Sequence, residues 1–153
     1  ESDVCNRVVI EDNRGFVEIQ EAVKEAGISN GICYLFVPHT TAGITINEGA
    51  DPTVQRDIQT YLNKVIPFEG DYHHREGNSS AHIKAAVVGV SSHVFVDDGK
   101  LMLGTWQSIF FCEFDGPRRR QVAIGERLIH RNGHSHAGPP ATGASSISRK
   151  RRM

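Results

Sequence analysis

Short apolar segments, cut apart by Gly, Pro and Asp punctuation, fill the first 129 residues and restrict the chain to a sheet-rich fold with few helices. Ile32 to Val37 is a continuous apolar strand ended by Pro38, and Gly43 to Glu48 alternates apolar and polar like a half-buried one. Val4 to Ile10, Val94 to Val96, Lys100 to Leu103, Thr105 to Phe114 and Arg120 to Ile124 read as further strands. Asp98-Gly99 predicts a type I′ hairpin turn, and Asp115-Gly116-Pro117 another reversal.

Three segments break this pattern with helical spacing. Ile19, Ala22, Val23 and Ala26 share one face before a stop at Gly27. Asp51 supplies an N-cap acceptor ahead of Pro52, and Val54, Ile58, Tyr61, Leu62 and Val65 predict the buried stripe of a helix ending before Pro67. From Ala81 to Val90, the predicted buried face is Ile83, Ala86, Val87 and Val90. Trp106 is assigned to the core, Arg118-Arg119-Arg120 to a solvated tip, and Cys5, Cys33 and Cys112 to buried structural thiols.

At 153 residues and 39% hydrophobic content, one compact domain is expected. The formal charge of −1 conceals a split. Residues 130–153 hold five basic residues and no acid, while residues 1–129 hold 12 basic and 18 acidic, a net of −6. The 130–153 segment is therefore read as a disordered basic tail. Its Arg149 to Arg152 cluster is the one place where a nuclear address or nucleic-acid contact would reside. No apolar run approaches the roughly 20 residues of a bilayer span, so a cytoplasmic protein without a membrane partner is expected.

The chemistry-bearing residues lie at segment ends. His39 follows a strand, His74 sits in a polar loop, and His82 occupies the first turn of the helix after it. Three neutral imidazoles and a water are a known catalytic zinc arrangement, although this spacing forms no local chelate. Asn78, Ser79 and Ser80 are capping residues whose helix start also suits an anion, with His82 beside it as a proton donor. Glu48, at a strand end, is a candidate base, ligand orienter or Mg²⁺ ligand, while Asp51 is already explained by its cap. Gln107 is a candidate ligand contact, because its amide both donates and accepts.

The runs Pro38-His39-Thr40-Thr41-Ala42, Asn47-Glu48-Gly49-Ala50-Asp51-Pro52-Thr53-Val54, Tyr72 to Lys84 and Gly104-Thr105-Trp106-Gln107 resemble the YjbQ family, often labelled secondary thiamine-phosphate synthase. The resemblance spans roughly residues 5 to 127. It implies an α+β domain, mainly antiparallel sheet in a sandwich-like arrangement with about three helices, that assembles as a homotrimer. It also implies that His39, His74 and His82 converge on a divalent metal, Zn or Mg, or on an anion. Glu48, Asp51, Glu76, Asn78 and Gln107 fall on motif positions as well.

The leading expectation is a small trimeric transferase acting on a phosphorylated small molecule in the manner of a thiamine-phosphate synthase. Glu48, Asp51, Glu76 and His82 would be its catalytic groups, and Asn78, Ser79, Ser80 and Gln107 its anion contacts. The alternatives are a metal-assisted hydrolase, with Glu48 or Glu76 as base, and a non-catalytic anion-binding module.

Overall fold

The computed structural model describes residues 9–11, 14–128 and 149–152. The chain runs β1 (Val9–Glu11), α1 (Arg14–Glu25), β2 (Gly31–Phe36), β3 (Ala42–Glu48), α2 (Pro52–Val65), α3 (Ser79–Val88), β4 (Ser91–Asp97), β5 (Lys100–Leu101), β6 (Gln107–Glu113), β7 (Gln121–Leu128) and β8 (Arg149–Arg152). Two antiparallel sheets result, one in the order β1-β6-β3 and the other β5-β4-β2-β7-β8. This is the α+β, mainly antiparallel architecture with three helices that the sequence leads one to expect.

Strand alternation dictates the main core. Cys33 and Leu35 of β2, Val94 and Val96 of β4, and Val122 and Ile124 of β7 turn one way and meet Ile44, Ile109 and Phe111 of the other sheet. Ile19, Ala22 and Val23 of α1 join them, and Gly27, at φ +69°, ends the segment in a conformation that suits glycine. Asp98 and Gly99, at φ 48° and 72°, make the left-handed hairpin turn between β4 and β5.

A second core lies on the other face of β6. Phe110, Cys112 and Phe114 are covered by Ala81 and Ala85 of α3, with Ile58 and Leu62 of α2 beside them. Here two expected faces are corrected. α3 buries Ser80, Ala81, Lys84 and Ala85, leaving Ile83 and Val87 exposed. Its small residues let the helix approach the sheet closely, and this contact overrides the larger apolar residues on the other face. No residue of α2 is fully buried, and Tyr61 and Val65 are each 66% exposed. Trp106 is likewise 65% exposed rather than in the core.

Four residues of the segment expected to be a disordered tail, Arg149–Arg152, pair antiparallel with Gln121–Ile124. Such pairing uses the backbone groups of the β7 edge and needs no apolar side chain. Residues 129–148, together with Cys5 and the strand start expected at Val4, lie outside the described residues. Among the described residues, no helix is long and apolar enough to cross a membrane.

Candidate functional site

The end of β2 delivers His39. The Val37 N–H donates to Val90 O at 2.8 Å, and the His39 N–H donates back to Val37 O at 2.8 Å, so the chain turns sharply at Pro38. The imidazole Nε2 then accepts the backbone N–H of Gln121 at 2.9 Å. A ring nitrogen that accepts an N–H carries no proton, so His39 is neutral, with its proton on Nδ1. Burial, and then the Arg120 guanidinium, hold its pKa below the usual histidine value, while Glu113 opposes them.

Beneath this loop lies a buried ion pair. Arg120 grips Glu113 with two parallel bonds, Nε to Oε2 and Nη2 to Oε1, the latter at 2.6 Å. Its Nη2 also donates to Thr41 Oγ1 at 2.9 Å, and Phe114 N–H donates to Thr41 O at 3.2 Å. Arg118 and Arg119 are exposed as a turn tip should be, but Arg120 is buried, which corrects the expectation of three solvated arginines. The sequence signal for this pair is an acid, Glu113, set inside the apolar run of β6.

The start of α3 forms the facing wall. Asn78 is its N-cap, yet its side chain makes no capping bond. Nδ2 donates instead to Asp115 Oδ2 at 3.0 Å, and that carboxylate also pairs with Arg118 at 2.9 Å. Among the described residues, Asn78 Oδ1 is buried without a partner. The side-chain cap expected of Asn78 is thus corrected: Asp115 draws its amide away, and its backbone carbonyl instead accepts the N–H groups of Ala81 at 3.0 Å and His82 at 3.4 Å.

His82 stands between two openings. On one side, His39, Phe36, Pro38, Thr40 and Ala86 join it around an open cleft of about 500 Å³. On the other, His74, His73, Tyr72, Asp71 and Ser79 line a hollow of about 330 Å³. The His74 and His82 rings meet edge to face at 5.2 Å, and His74 Nε2 lies 3.8 Å from Glu76 Oε2. The structure therefore brings His82 together with each of the other two histidines in turn.

Three further candidates lie elsewhere. β2 and β3 belong to different sheets, so they form no hairpin. Glu48 ends β3 opposite Gln107, about 20 Å along the strand from the His39 end at a rise of roughly 3.3 Å per residue. It lines a small apolar hollow under α2 with Phe110 and Cys112. Asp51 caps α2, accepting from Thr53 N at 2.8 Å and Thr53 Oγ1 at 2.7 Å, and these bonds lower its pKa. The Gln107 side chain accepts from Gly104 N–H at 2.9 Å within its own turn. Lys84 is buried, donates to Asn63 Oδ1 at 2.7 Å and is turned under α2.

The expected divalent metal meets a poor donor set within one chain. Among the described residues, no three His, Cys, Asp or Glu are grouped to hold an ion. His39 Nε2 is already occupied by the Gln121 N–H.

Fold and site together define a small two-sheet α+β protein with a histidine-lined cleft at one helix terminus. Residues 10–126 match the family described as UPF0047 protein YjbQ-like, and the chain belongs to that family. A UPF0047 protein of Methanocaldococcus jannaschii is 55% identical over 106 residues, covering 69% of this chain and 77% of that one. YugU of Bacillus subtilis is 52% identical over 108 residues, 70% and 82% of the two chains. A solved yjbq/upf0047-family structure from Clostridium acetobutylicum superposes with a TM-score of 0.75 at 53% identity, covering 78% of this chain and 91% of that one. A YbjQ-like protein from Sulfolobus solfataricus gives 0.71 at 34% identity, with 79% and 89% covered.

Proposed function

We propose that this chain binds a small phosphorylated molecule in the cleft between the 38–41 loop and α3, with His82 at its centre. The observation that carries this reading is the shared wall of His39 and His82, where the His39 nitrogen left free is the donor Nδ1–H. His82 lies near the start of α3, so the positive end of the helix dipole adds to its side of the cleft.

A transfer of the thiamine-phosphate synthase type, implied by the family resemblance, would require these donors to stabilise a departing diphosphate. Lys84 cannot assist from beneath α2, so the load falls on His39 and His82. Metal-assisted hydrolysis draws support only from the His74, His82 and Glu76 side of the site.

The homotrimer also belongs to this proposal. Ile32, Tyr34 and Phe36 of β2 alternate outward beside His93 and Phe95 of β4, and Tyr34, Phe36 and Phe95 are 43%, 48% and 56% exposed. An aromatic outer face of this kind suits burial against a second copy. Phe36 carries it into the cleft.

The test is a thermal-shift screen of phosphorylated small molecules, thiamine phosphate included, on wild type and His82→Ala, with and without chelator. Turnover assays for thiamine-phosphate formation and phosphoester hydrolysis accompany it. Stabilisation lost in His82→Ala and indifferent to chelator supports the metal-free site. Chelator-sensitive turnover replaces it with the metal reading, and no stabilisation by any phosphorylated compound removes it.

A further inference from the structure

We infer that Arg120 and Glu113 are positioning residues, which set His39 as a fixed Nδ1–H donor at the cleft by locking the 39–41 loop onto the start of β7. The inference rests on the reading of the cleft as an anion site, and it adds two residues that no motif of the chain singled out.

The geometry is a closed frame. Glu113 ends β6, Arg120 directly precedes β7, and the pair joins these two strand ends by a bidentate contact. Thr41 begins the approach to β3 and is held twice, through Oγ1 by Arg120 and through its carbonyl by Phe114 N–H. The residue after Arg120, Gln121, is the one whose N–H meets His39 Nε2. Fixing Arg120 thus fixes both partners of the bond that chooses the histidine tautomer.

A buried ion pair contributes little net stability compared with apolar residues of similar volume, because desolvation offsets the attraction. Its planar, two-bond geometry does restrict orientation. In this site orientation has a chemical consequence. With Nε2 bound to the backbone, His39 offers a ligand one N–H and no lone pair, so it selects a ligand acceptor such as a phosphoryl oxygen and turns away a ligand donor. Glu113 Oε1 also accepts from Asp115 N–H at 2.8 Å, and Asp115 holds Asn78 at the start of α3. One frame therefore sets both walls of the cleft.

The experiment is nitrogen-15 imidazole spectroscopy on the full chain without ligand, followed by titration with inorganic phosphate. Wild-type His39 should show a protonated Nδ1 and a bare Nε2. Thr41→Val removes one bond of the frame, and Glu113→Gln removes its charge. Both should give a mixture of tautomers and weaken phosphate about three- to tenfold, the scale of one ordinary hydrogen bond. Should Glu113→Gln fail to fold, Thr41→Val decides alone. An Nε2–H tautomer in wild type, or an unchanged tautomer in the folded variants, overturns the inference. The expected tautomer without phosphate binding would instead remove the anion reading and leave the positioning pair standing.

Discussion

Gly43→Ala tests how closely α3 lies on the sheet that carries it. A Cβ at position 43 would stand 2.6 Å from Gly89 O and 3.1 Å from Val88 Cγ1, at the end of α3. The carbonyl is backbone and already accepts the Ile44 N–H at 3.0 Å, so it has little freedom to retreat. Overpacking of this kind costs about 1–3 kcal/mol, and distortion of the Ile44 bond adds about 1 kcal/mol. A total of about 2–4 kcal/mol lowers Tm by roughly 4–16 °C for a chain of this size. Gly77→Ala is the control: φ there is +75° and no atom of the described residues lies within 4 Å of the added carbon, so only the left-handed cost of about 1–2 kcal/mol applies. Urea denaturation of both variants measures the difference. Because α3 carries His82 and Ala86 into the cleft, Gly43→Ala should also weaken phosphate binding. A Gly43→Ala protein as stable as Gly77→Ala would refute the close approach of α3 to β3.

Acidification should destabilise the fold through His39. Its folded pKa lies below the ordinary value of 6.5, so the unfolded chain takes up the proton first; the contribution is complete above that value and is lost as pH falls below it. A Tm that falls equally with pH in wild type and His39→Phe contradicts this. Cys112, whose thiol is pushed up to about 12 by burial, should resist iodoacetamide in the native protein and react on unfolding, as site-resolved mass spectrometry would report. Asp51→Asn should lower Tm at neutral pH by loosening the start of α2, with the gap to wild type closing as pH falls through the carboxylate range. Trp106, the single tryptophan, should emit as a solvent-exposed indole and be open to iodide quenching; protected, blue-shifted emission would contradict its placement.

Much of this fold is legible in the residues because it rests on local rules. The Asp51-Pro52 helix start, the Gly27 stop and the Asp98-Gly99 turn all follow from backbone preferences, whereas Ile32 to Val37 is apolar throughout, and only its place in the sheet turns Cys33 and Leu35 inward and leaves Tyr34 and Phe36 exposed. The face of α3 is not legible in the same way. Its buried side is Ala81, Lys84 and Ala85, so apolar periodicity favours the exposed side, and only the proximity of Gly43 explains the choice. In the site, His39, His74 and His82 stand out as histidines at segment ends. The frame of Thr41, Glu113 and Arg120 does not, because it joins residues up to 79 positions apart. Glu48 and His39 lie close along the chain, but the switch of sheet between β2 and β3 parts them.

The most direct measurement of the central claim is a backbone and imidazole NMR titration of the full chain with inorganic phosphate. Saturable shifts centred on His39 Nδ1–H and the His82 imidazole, abolished in His82→Ala, are the predicted result. Shifts gathered instead around Glu48 and α2, or none at all, would contradict an anion site in the cleft between His39 and His82.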